Sequence, residues 1–423
     1  MQSDEPLVLL GREFDGFTRA LGQQLALMPD LPARYELIEI AALEHLVVDG
    51  DGATSGAVDV LMLNTDWLPN LIGQRRLLPL DGYLGSAPPD GWPDAWVPPL
   101  RELQQSPDGS VYGIPYHDGP VMLLYRTDLY DDPAERHGYE TRFGYPLAPA
   151  ATWDEFADQA QWFTRPAEGR YGTVLAGLPD EHNNIYDLLT QIWARGGDLL
   201  TPAGHSALDG ETAREAVEFL HGLWHVQRTV DPAAAQWDSV ASGAAFAAGD
   251  AALMVNWCGF AAMSSEPGSP THGLIGCAPA PAGPGPHGRR ATMNSYWVLA
   301  VAAGCRRPDA AYEFIRRLAA PDMDVITARS GGTATRRDTW NRPEVRALSP
   351  YYAQLEAAHR DSRAIPRDPD WPALAHVLND MMRAVVSDAA GTAALPGAHA
   401  RLEEVLARRS ARPGNPPRAT AAR

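Results

Sequence analysis

The stretch that decides the fold is residues 111–130, which read VYGIPYHDGPVMLLYRTDLY. Ile114 precedes Pro115, so its backbone is biased towards the extended region. A Gly-Pro pair at 119–120 interrupts the stretch in its middle. The apolar run at 121–125 that follows has the length of a buried strand. The pattern therefore predicts two short extended segments that meet at a bend.

Segments of strand length also precede this stretch, at 7–10, 35–40 and 58–63. Between the first two, apolar residues from Phe14 to Met28 recur at helical spacing, so a helix should connect them. Strands that alternate with helices indicate an α/β fold with a parallel sheet and helices on both faces. Ligands of such sheets bind beyond the carboxyl ends of the strands, so the residues that follow the first and third strands are candidates for a binding site.

The 111–130 stretch resembles the crossover strand of the carbohydrate-binding class of extracytoplasmic solute-binding proteins, the maltose-binding-protein-like class. In that class, Tyr-Gly-Ile-Pro is followed after several residues by Leu-Tyr-Tyr/Arg-x-Asp-Leu, and this sequence has the two motifs at 112–115 and 124–129. Other landmarks of the class occur in the expected order, at 59–61 (Asp-Val-Leu), 78–81 (Leu-Pro-Leu-Asp), 152–156 (Thr-Trp-Asp-Glu-Phe) and 246–257 (a Phe-to-Trp element).

The resemblance implies a bilobed α/β fold of the type II periplasmic-binding-protein kind, with a hinge and a ligand cleft between the lobes. The chain is expected to cross between the lobes near 115–120 and again near 256–259. The Pro/Arg-rich tail at 410–423 is predicted to be disordered. The lobes are expected to consist of residues 1–117 with 258–320, and of residues 118–257 with 321–409.

The composition predicts a large core and an acidic surface. The chain has 423 residues, of which 45% are hydrophobic and 12 are Trp. Its formal net charge of −18 disfavours nucleic-acid backbones and anionic membranes as partners, but it permits a neutral ligand. No run of about 18 apolar residues occurs, so the sequence predicts no membrane span.

The N-terminus differs from that of an exported member of the class. Residues 1–6 are polar and acidic, without the basic and apolar regions of a signal peptide. The resemblance implies an extracytoplasmic location, either periplasmic or at the cell surface. Three explanations stay open: a signal precedes residue 1, the sequence is that of the mature form, or the protein stays in the cytoplasm.

The sequence contains no motif that would demand catalysis, a cofactor or a metal. No Ser stands in a Gly-x-Ser-x-Gly nucleophile elbow, and the Gly-rich run at 283–288 lacks the Lys-Ser/Thr of a phosphate-binding loop. His221 and His225 have the helical spacing of a two-His metal pair. The Glu of the metalloprotease motif is absent, so a half-exposed helix face is the favoured interpretation. We therefore predict no catalytic residue, no cofactor and no metal site.

Residues that could bind a sugar are more numerous. Sugars present flat C–H faces and rings of hydroxyls, so their sites need aromatic planes and side chains that donate and accept hydrogen bonds. For Asp66, the alternative is a cap for the helix that begins near Trp67. The predicted ligand-binding residues stand at strand ends and in loops where members of the class contact ligand: Arg12, Glu13, Asp66, Trp67, His117, Asp118, Asn183, Asn184, Trp257, Asn294 and Tyr296.

The function that the resemblance implies is solute capture. The protein would act as a monomer, close its lobes over a mono- or oligosaccharide or a polyol, and deliver it to an ABC-type permease in the membrane. Two alternatives stay open from the sequence. One is a carbohydrate-active enzyme, and the other is a sugar sensor that uses the same fold without a permease.

Overall fold

The computed structural model describes residues 5–180, 183–388 and 391–410, and these residues form two α/β units. The first unit contains the residues up to Pro120 together with Asn294–Pro369. The second unit contains Val121–Met293 together with the residues from Asp370 onwards. Each unit has a β-sheet of its own, as the bilobed α/β prediction requires.

The strands, in chain order, are β1 (Leu7–Arg12), β2 (Ala33–Ile38), β3 (Val60–Asn64), β4 (Ile114–His117), β5 (Val121–Arg126), β6 (Tyr171–Val174), β7 (Ala251–Trp257), β8 (Ile275–Ala278), β9 (Thr292–Met293), β10 (Trp297–Val301) and β11 (Ser362–Arg363). The α-helices are α1 (Asp15–Ala26), α2 (Ile40–Glu44), α3 (Leu68–Gly73), α4 (Asp81–Ser86), α5 (Pro99–Glu102), α6 (Thr127–Asp131), α7 (Pro133–Phe143), α8 (Trp153–Phe163), α9 (Asn184–Ala194), α10 (Glu211–His221), α11 (Ser239–Ala248), α12 (Ala261–Ser265), α13 (Pro308–Leu318), α14 (Pro321–Arg329), α15 (Arg337–Trp340), α16 (Pro343–Arg346), α17 (Leu355–Arg360), α18 (Trp371–Val386) and α19 (Leu395–Ser410).

The first unit is built on a five-stranded sheet with the strand order β2-β1-β3-β10-β4. The segments predicted as strands at 7–10, 35–40 and 58–63 correspond to β1, β2 and β3, with α1 between the first two. β1 lies parallel to β2 and β3, as predicted. The sheet is mixed, however, because β10 returns from a later part of the chain and runs antiparallel to β3 and β4.

Gln24 ties the helices of the first unit to its sheet. Its Nε2 donates to the carbonyl oxygen of Met323 (2.9 Å) and to Oγ1 of Thr327 (3.0 Å), both of which lie in α14. Its Oε1 accepts from the hydroxyl of Tyr116 in β4 (2.9 Å). Because Gln24 is fully buried, these bonds satisfy an amide that would otherwise be costly to desolvate, and they connect α1, α14 and β4.

The second unit has a four-stranded sheet with the order β6-β7-β5-β8. β6 lies parallel to β7, whereas β5 runs antiparallel to β7 and to β8. α8 packs on β6 and α11 packs on β7, while α9 contacts α10 and α18. The carboxyl ends of β6 and β7 therefore lie side by side, next to the beginning of β5.

The observed unit boundaries differ from the predicted ones after the first crossover. The bend between β4 and β5 is present, and the units divide there, at Pro120. Residues 258–293 lie in the second unit because β8 pairs with β5, and because Gly243 of α11 leaves room for the ring of Phe260. Residues 321–369 lie in the first unit, where α14 packs on α1, and the chain divides again at 293–294 and 369–370 instead of near 256–259.

Three further features concern membrane spans, the cysteines and the C-terminal tail. No helix among the described residues is long and apolar enough to cross a bilayer. The three cysteines, Cys258, Cys277 and Cys305, are free thiols. The tail predicted as disordered, 410–423, lies outside the described residues except for Ser410, which ends α19.

Candidate functional site

The second unit has a pocket at the carboxyl ends of β6 and β7. Apolar residues of β5, β6 and β7 form part of its wall. The beginning of β5 closes one side, since Val121 is paired with Trp257 in the sheet. The aromatic and polar residues that line the pocket are Asn183, Tyr186, Asp187, Ser239, Asn256 and Trp257.

Trp257 and Tyr186 give the pocket an aromatic wall. Trp257 is the last residue of β7 and is half-buried, whereas Tyr186 comes from the first turn of α9 and is buried. Their ring centroids lie 5.8 Å apart with an interplanar angle of 88°. This edge-to-face contact fixes the orientation of the Trp257 ring.

Two amide side chains hold the polar rim of the pocket in place. Oδ1 of Asn183 accepts from the backbone N–H of Ser239 (2.8 Å). Nδ2 of Asn256 donates to the carbonyl oxygen of Ser239 (3.2 Å). Asp238 caps α11 by accepting from the N–H of Ala241 (2.7 Å). The beginnings of α9 and α11 and the end of β7 are therefore tied together at the rim.

Asp187 contributes a carboxyl group to the pocket. Burial raises the pKa of Asp187 to about 7, because the surroundings disfavour the charged form. No described residue forms a hydrogen bond with this carboxyl group in the structure. The group can therefore accept hydrogen bonds from a solute when it is ionised, and donate one when it is protonated.

The first unit has an aromatic cluster at the carboxyl ends of β1, β3 and β4. Trp297 begins β10 and pairs in the sheet with the last residues of β3 and β4. Its ring lies 5.7 Å from that of Trp67 at 86°, and the guanidinium carbon of Arg12 lies 5.6 Å from the Trp297 ring centroid. Phe17 of α1 contacts both Trp297 and His117, at 6.4 and 4.9 Å between ring centroids. Three predicted residues, Arg12, Trp67 and His117, thus come together here.

His117 is a neutral member of this cluster. Burial, and secondarily the neighbouring Arg12 charge, lower the pKa of His117 to about 3. Its Nδ1 accepts from the backbone N–H of Thr333 (2.9 Å). The proton of the neutral ring is therefore on Nε2, which leaves this nitrogen as a hydrogen-bond donor.

Three predicted ligand-binding residues have partners inside the first unit. Asp118 is 1% exposed and its Oδ2 lies 2.8 Å from Nε2 of His359. The buried hydroxyl of Tyr296 accepts from the N–H of Leu103 (3.1 Å) and also bonds Gln104. Nδ2 of Asn294 donates to the carbonyl oxygen of Pro99 (3.0 Å). These contacts give each of the three side chains a role in packing the first unit, and their predicted contacts with a ligand stay predictions.

The other predicted residues are not gathered at one place. Asp66 is buried in the 3-10 turn Thr65–Trp67, and the cap of that turn is Asn64, whose Oδ1 accepts from the N–H of Asp66 (2.9 Å). Asn64 is thus the cap of this turn, and both roles considered for Asp66, ligand contact and helix cap, stay predictions. Glu13 is exposed next to Arg12. Asn184 is buried at the first position of α9 and does not line the pocket.

The predicted residues do not include Tyr186, Asp187, Ser239 and Asn256 of the pocket, nor Trp297 of the aromatic cluster. Asp187 had a detectable signal, because it is the single charged residue of α9 and stands in an otherwise apolar run. Trp297 had a weaker one, as an aromatic residue at the first position of an apolar strand. Asn256 directly precedes the predicted Trp257, and Tyr186 follows the predicted Asn184 by two positions. Only the folded structure shows that these two side chains line the pocket.

The sequence matches the profile of the family described as bacterial extracellular solute-binding protein over residues 47–324. A probable ABC transporter-binding protein of Deinococcus radiodurans is 29% identical over 272 residues, which are 63% of this chain and 59% of the relative. An arabinooligosaccharide-binding protein of Halalkalibacterium halodurans is 25% identical over 179 residues, which are 42% of this chain and 35% of the relative. The matched part thus spans less than two thirds of either relative.

Solved structures resemble the whole chain. The maltose-bound MalE3 of T. maritima superimposes with a TM-score of 0.82 at 22% identity, over 96% of this chain and 99% of that protein. An ABC transporter solute-binding protein of Agrobacterium radiobacter K84 in complex with ribitol gives a TM-score of 0.81 at 21% identity, over 95% and 99% of the two chains. At these identities the likeness establishes the fold, and it confirms the predicted bilobed, MalE-like class.

Proposed function

We propose that this chain, which belongs to the family of bacterial extracellular solute-binding proteins, captures a hydroxyl-rich solute outside the cytoplasm and delivers it to an ABC-type importer. The solute would be a mono- or oligosaccharide or a polyol. Capture would proceed by hinge closure, the motion that serves ligand binding in this fold. The protein would release the solute chemically unchanged.

The observation that carries the proposal is the pocket of the second unit. The Trp257 ring offers a flat apolar face, which suits the C–H face of a sugar ring. The carboxyl group of Asp187 and the amides of Asn183 and Asn256 can accept and donate hydrogen bonds, which suits neighbouring hydroxyls. Among the described residues that line the pocket there is no Lys or Arg, so an anionic solute is disfavoured.

Two further observations support the proposal. The aromatic cluster of the first unit adds a second aromatic surface, in which Arg12 lies beside the Trp297 ring and Nε2 of neutral His117 can donate a hydrogen bond. Among the relatives, one is an arabinooligosaccharide-binding protein, and two structural neighbours hold maltose and ribitol. Their ligands define the chemical class with which a search should begin.

Calorimetric titration of the purified chain with maltose, ribitol, mannitol and arabino-oligosaccharides tests the proposal. We expect at least one of these to bind with one-to-one stoichiometry. Chromatography of the same mixtures after prolonged incubation should return the sugar unchanged. Formation of a product would instead establish an enzyme, and failure of every neutral sugar and polyol to bind would refute the proposed solute class.

The pH dependence of binding provides a test of Asp187. Its carboxyl group has a pKa of about 7 in the free protein, so lowering the pH through 7 protonates it. Ionised carboxylates accept stronger hydrogen bonds from hydroxyls than neutral acids do. Affinity should therefore fall about tenfold between pH 8 and pH 6, following the ionised fraction.

The matched controls are Asp187→Asn and Asp250→Asn. Asp250 also has a pKa raised by burial, but it precedes β7 and does not line the pocket. Titrations of the wild type, Asp187→Asn and Asp250→Asn at several pH values should show an affinity that is independent of pH for Asp187→Asn alone. A wild-type slope in Asp187→Asn would assign the pH dependence to another group.

A further inference from the structure

His221 and His225 are brought onto one side of a helix by an unusual turn. His221 ends α10, and the chain continues directly into a π turn over Gly222–Val226, which is closed by a bond from the N–H of Gln227 to the carbonyl oxygen of Gly222 (2.8 Å). A π turn contains more residues than an α turn, so side chains four apart lie more nearly above one another, and such turns are frequent at functional sites. The two imidazole ring centroids are 4.8 Å apart.

Asp388 supplies a carboxylate to this pair from a remote part of the chain. It follows the end of α18 and has φ of +58°, in the left-handed region that usually holds Gly after a helix and that Asp tolerates better than most residues. Its Oδ1 lies 2.6 Å from Nε2 of His221. The same helix end offers the carbonyl oxygen of Val385, to which Nε2 of His225 is bonded at 3.0 Å.

These three side chains have the composition and spacing of a metal site. One possible ligand atom from each of them lies within 4.8 Å of the others. A tetrahedral Zn²⁺ ion with bonds of about 2.0–2.1 Å separates its ligand atoms by roughly 3.3 Å, so small side-chain rotations would suffice. Donation of one ring N–H of His225 to a backbone carbonyl leaves its other nitrogen with the lone pair that a metal requires.

We propose that His221, His225 and Asp388 bind one divalent transition-metal ion, with Zn²⁺ as the ion that two imidazoles and one carboxylate fit best. Water would complete the coordination, because His221 is 25% and Asp388 60% exposed at the side chain. The missing Glu within the helix argued against a metal when the sequence was considered alone. The folded chain supplies the third ligand 163 residues after His225.

The consequence of such a site would be structural. α10 and α18 both pack against α9 in the second unit, and the metal would link the C-terminal ends of these two helices. None of the three ligands lines the pocket. Bound metal should therefore raise the melting temperature of the protein without being required for capture of the solute.

Titration of tag-free, EDTA-treated protein with ZnCl₂ tests the proposal. We expect one Zn²⁺ per chain, and His221→Ala and His225→Ala should each weaken binding by at least about 10- to 100-fold, the loss that even an outer-shell change can cause. Asp388→Asn should weaken it by at least about tenfold. The matched control is His376→Ala, which removes an exposed His–Asp pair on α18 that has a 3.7 Å contact and, among the described residues, no third ligand.

Thermal melts of each variant without metal establish that it is folded, and melts with ZnCl₂ should show a rise only in the wild type and in His376→Ala. The site would be refuted if the double variant His221→Ala/His225→Ala bound Zn²⁺ as tightly as the wild type. Equal losses in His376→Ala would also refute it. Undiminished binding by Asp388→Asn would refute the role of the carboxylate.

Discussion

Replacing Trp257 by alanine is expected to weaken binding of the captured solute by roughly 30- to 1,000-fold, since removing a central aromatic anchor typically costs about 2–4 kcal/mol. The Trp257 ring lies half-buried in the pocket wall, where Tyr186 holds it edge-to-face. Alanine at this position would remove the apolar face on which a sugar ring can pack. Isothermal titration with the solute identified in the screen measures the change directly.

Two further variants distinguish the aromatic face from general damage to the second unit. Trp257→Phe keeps an aromatic ring and should retain more affinity than the alanine variant. Trp162→Ala removes another half-buried Trp of the same unit, whose Nε1 donates to Glu135 (2.8 Å) away from the pocket, and it should bind as the wild type does. Wild-type affinity in a folded Trp257→Ala protein would remove this residue from the site.

The parts of the fold that local patterns encode could be predicted from the sequence. β1, β3 and β5 are short apolar runs bounded by polar or turn residues, and the Gly-Pro bend at 119–120 separates β4 from β5 as expected. The unit boundaries after residue 257 could not be read in the same way. They depend on the pairing of β8 with β5, which lies about 150 residues earlier in the chain, and no local pattern specifies that partner.

Most residues of the candidate sites that could be predicted stand at or just after a strand end, and Asn183, in the loop before α9, is the exception. Trp257 was found because it ends β7, and Arg12 because it ends β1. Asp187 lies in the first turn of a helix, and its position in the pocket follows from how α9 packs near β7. Asp118 also stands near a strand end, but its burial and its partner are set by His359, which is 241 residues away.

Substitution of Asp118, which is paired with His359, is expected to cause a large loss of stability. Both side chains are 1% exposed, and the His359 ring stacks on Trp340 at 5.6 Å with an interplanar angle of 7°. α17, which bears His359, is thereby attached to the segment that follows β4. Breaking a buried pair by removing one partner leaves the other without compensation, which is more costly than the pair is favourable.

Asp118→Ala is therefore expected to lower the free energy of unfolding by about 3–5 kcal/mol, measured by urea denaturation. Asp118→Asn keeps the volume and one acceptor oxygen, so it should lose less. The matched control is Glu356→Ala on α17, where an exposed pair with Arg337 (2.9 Å) should contribute at most about 1 kcal/mol.

The same variant also tests whether Asp118 contacts the solute. Because the carboxylate of Asp118 is buried against His359, the affinity of Asp118→Ala, measured well below its melting temperature, should equal that of the wild type. Weakened binding with unchanged stability would instead support the ligand-binding role that the sequence predicts for Asp118.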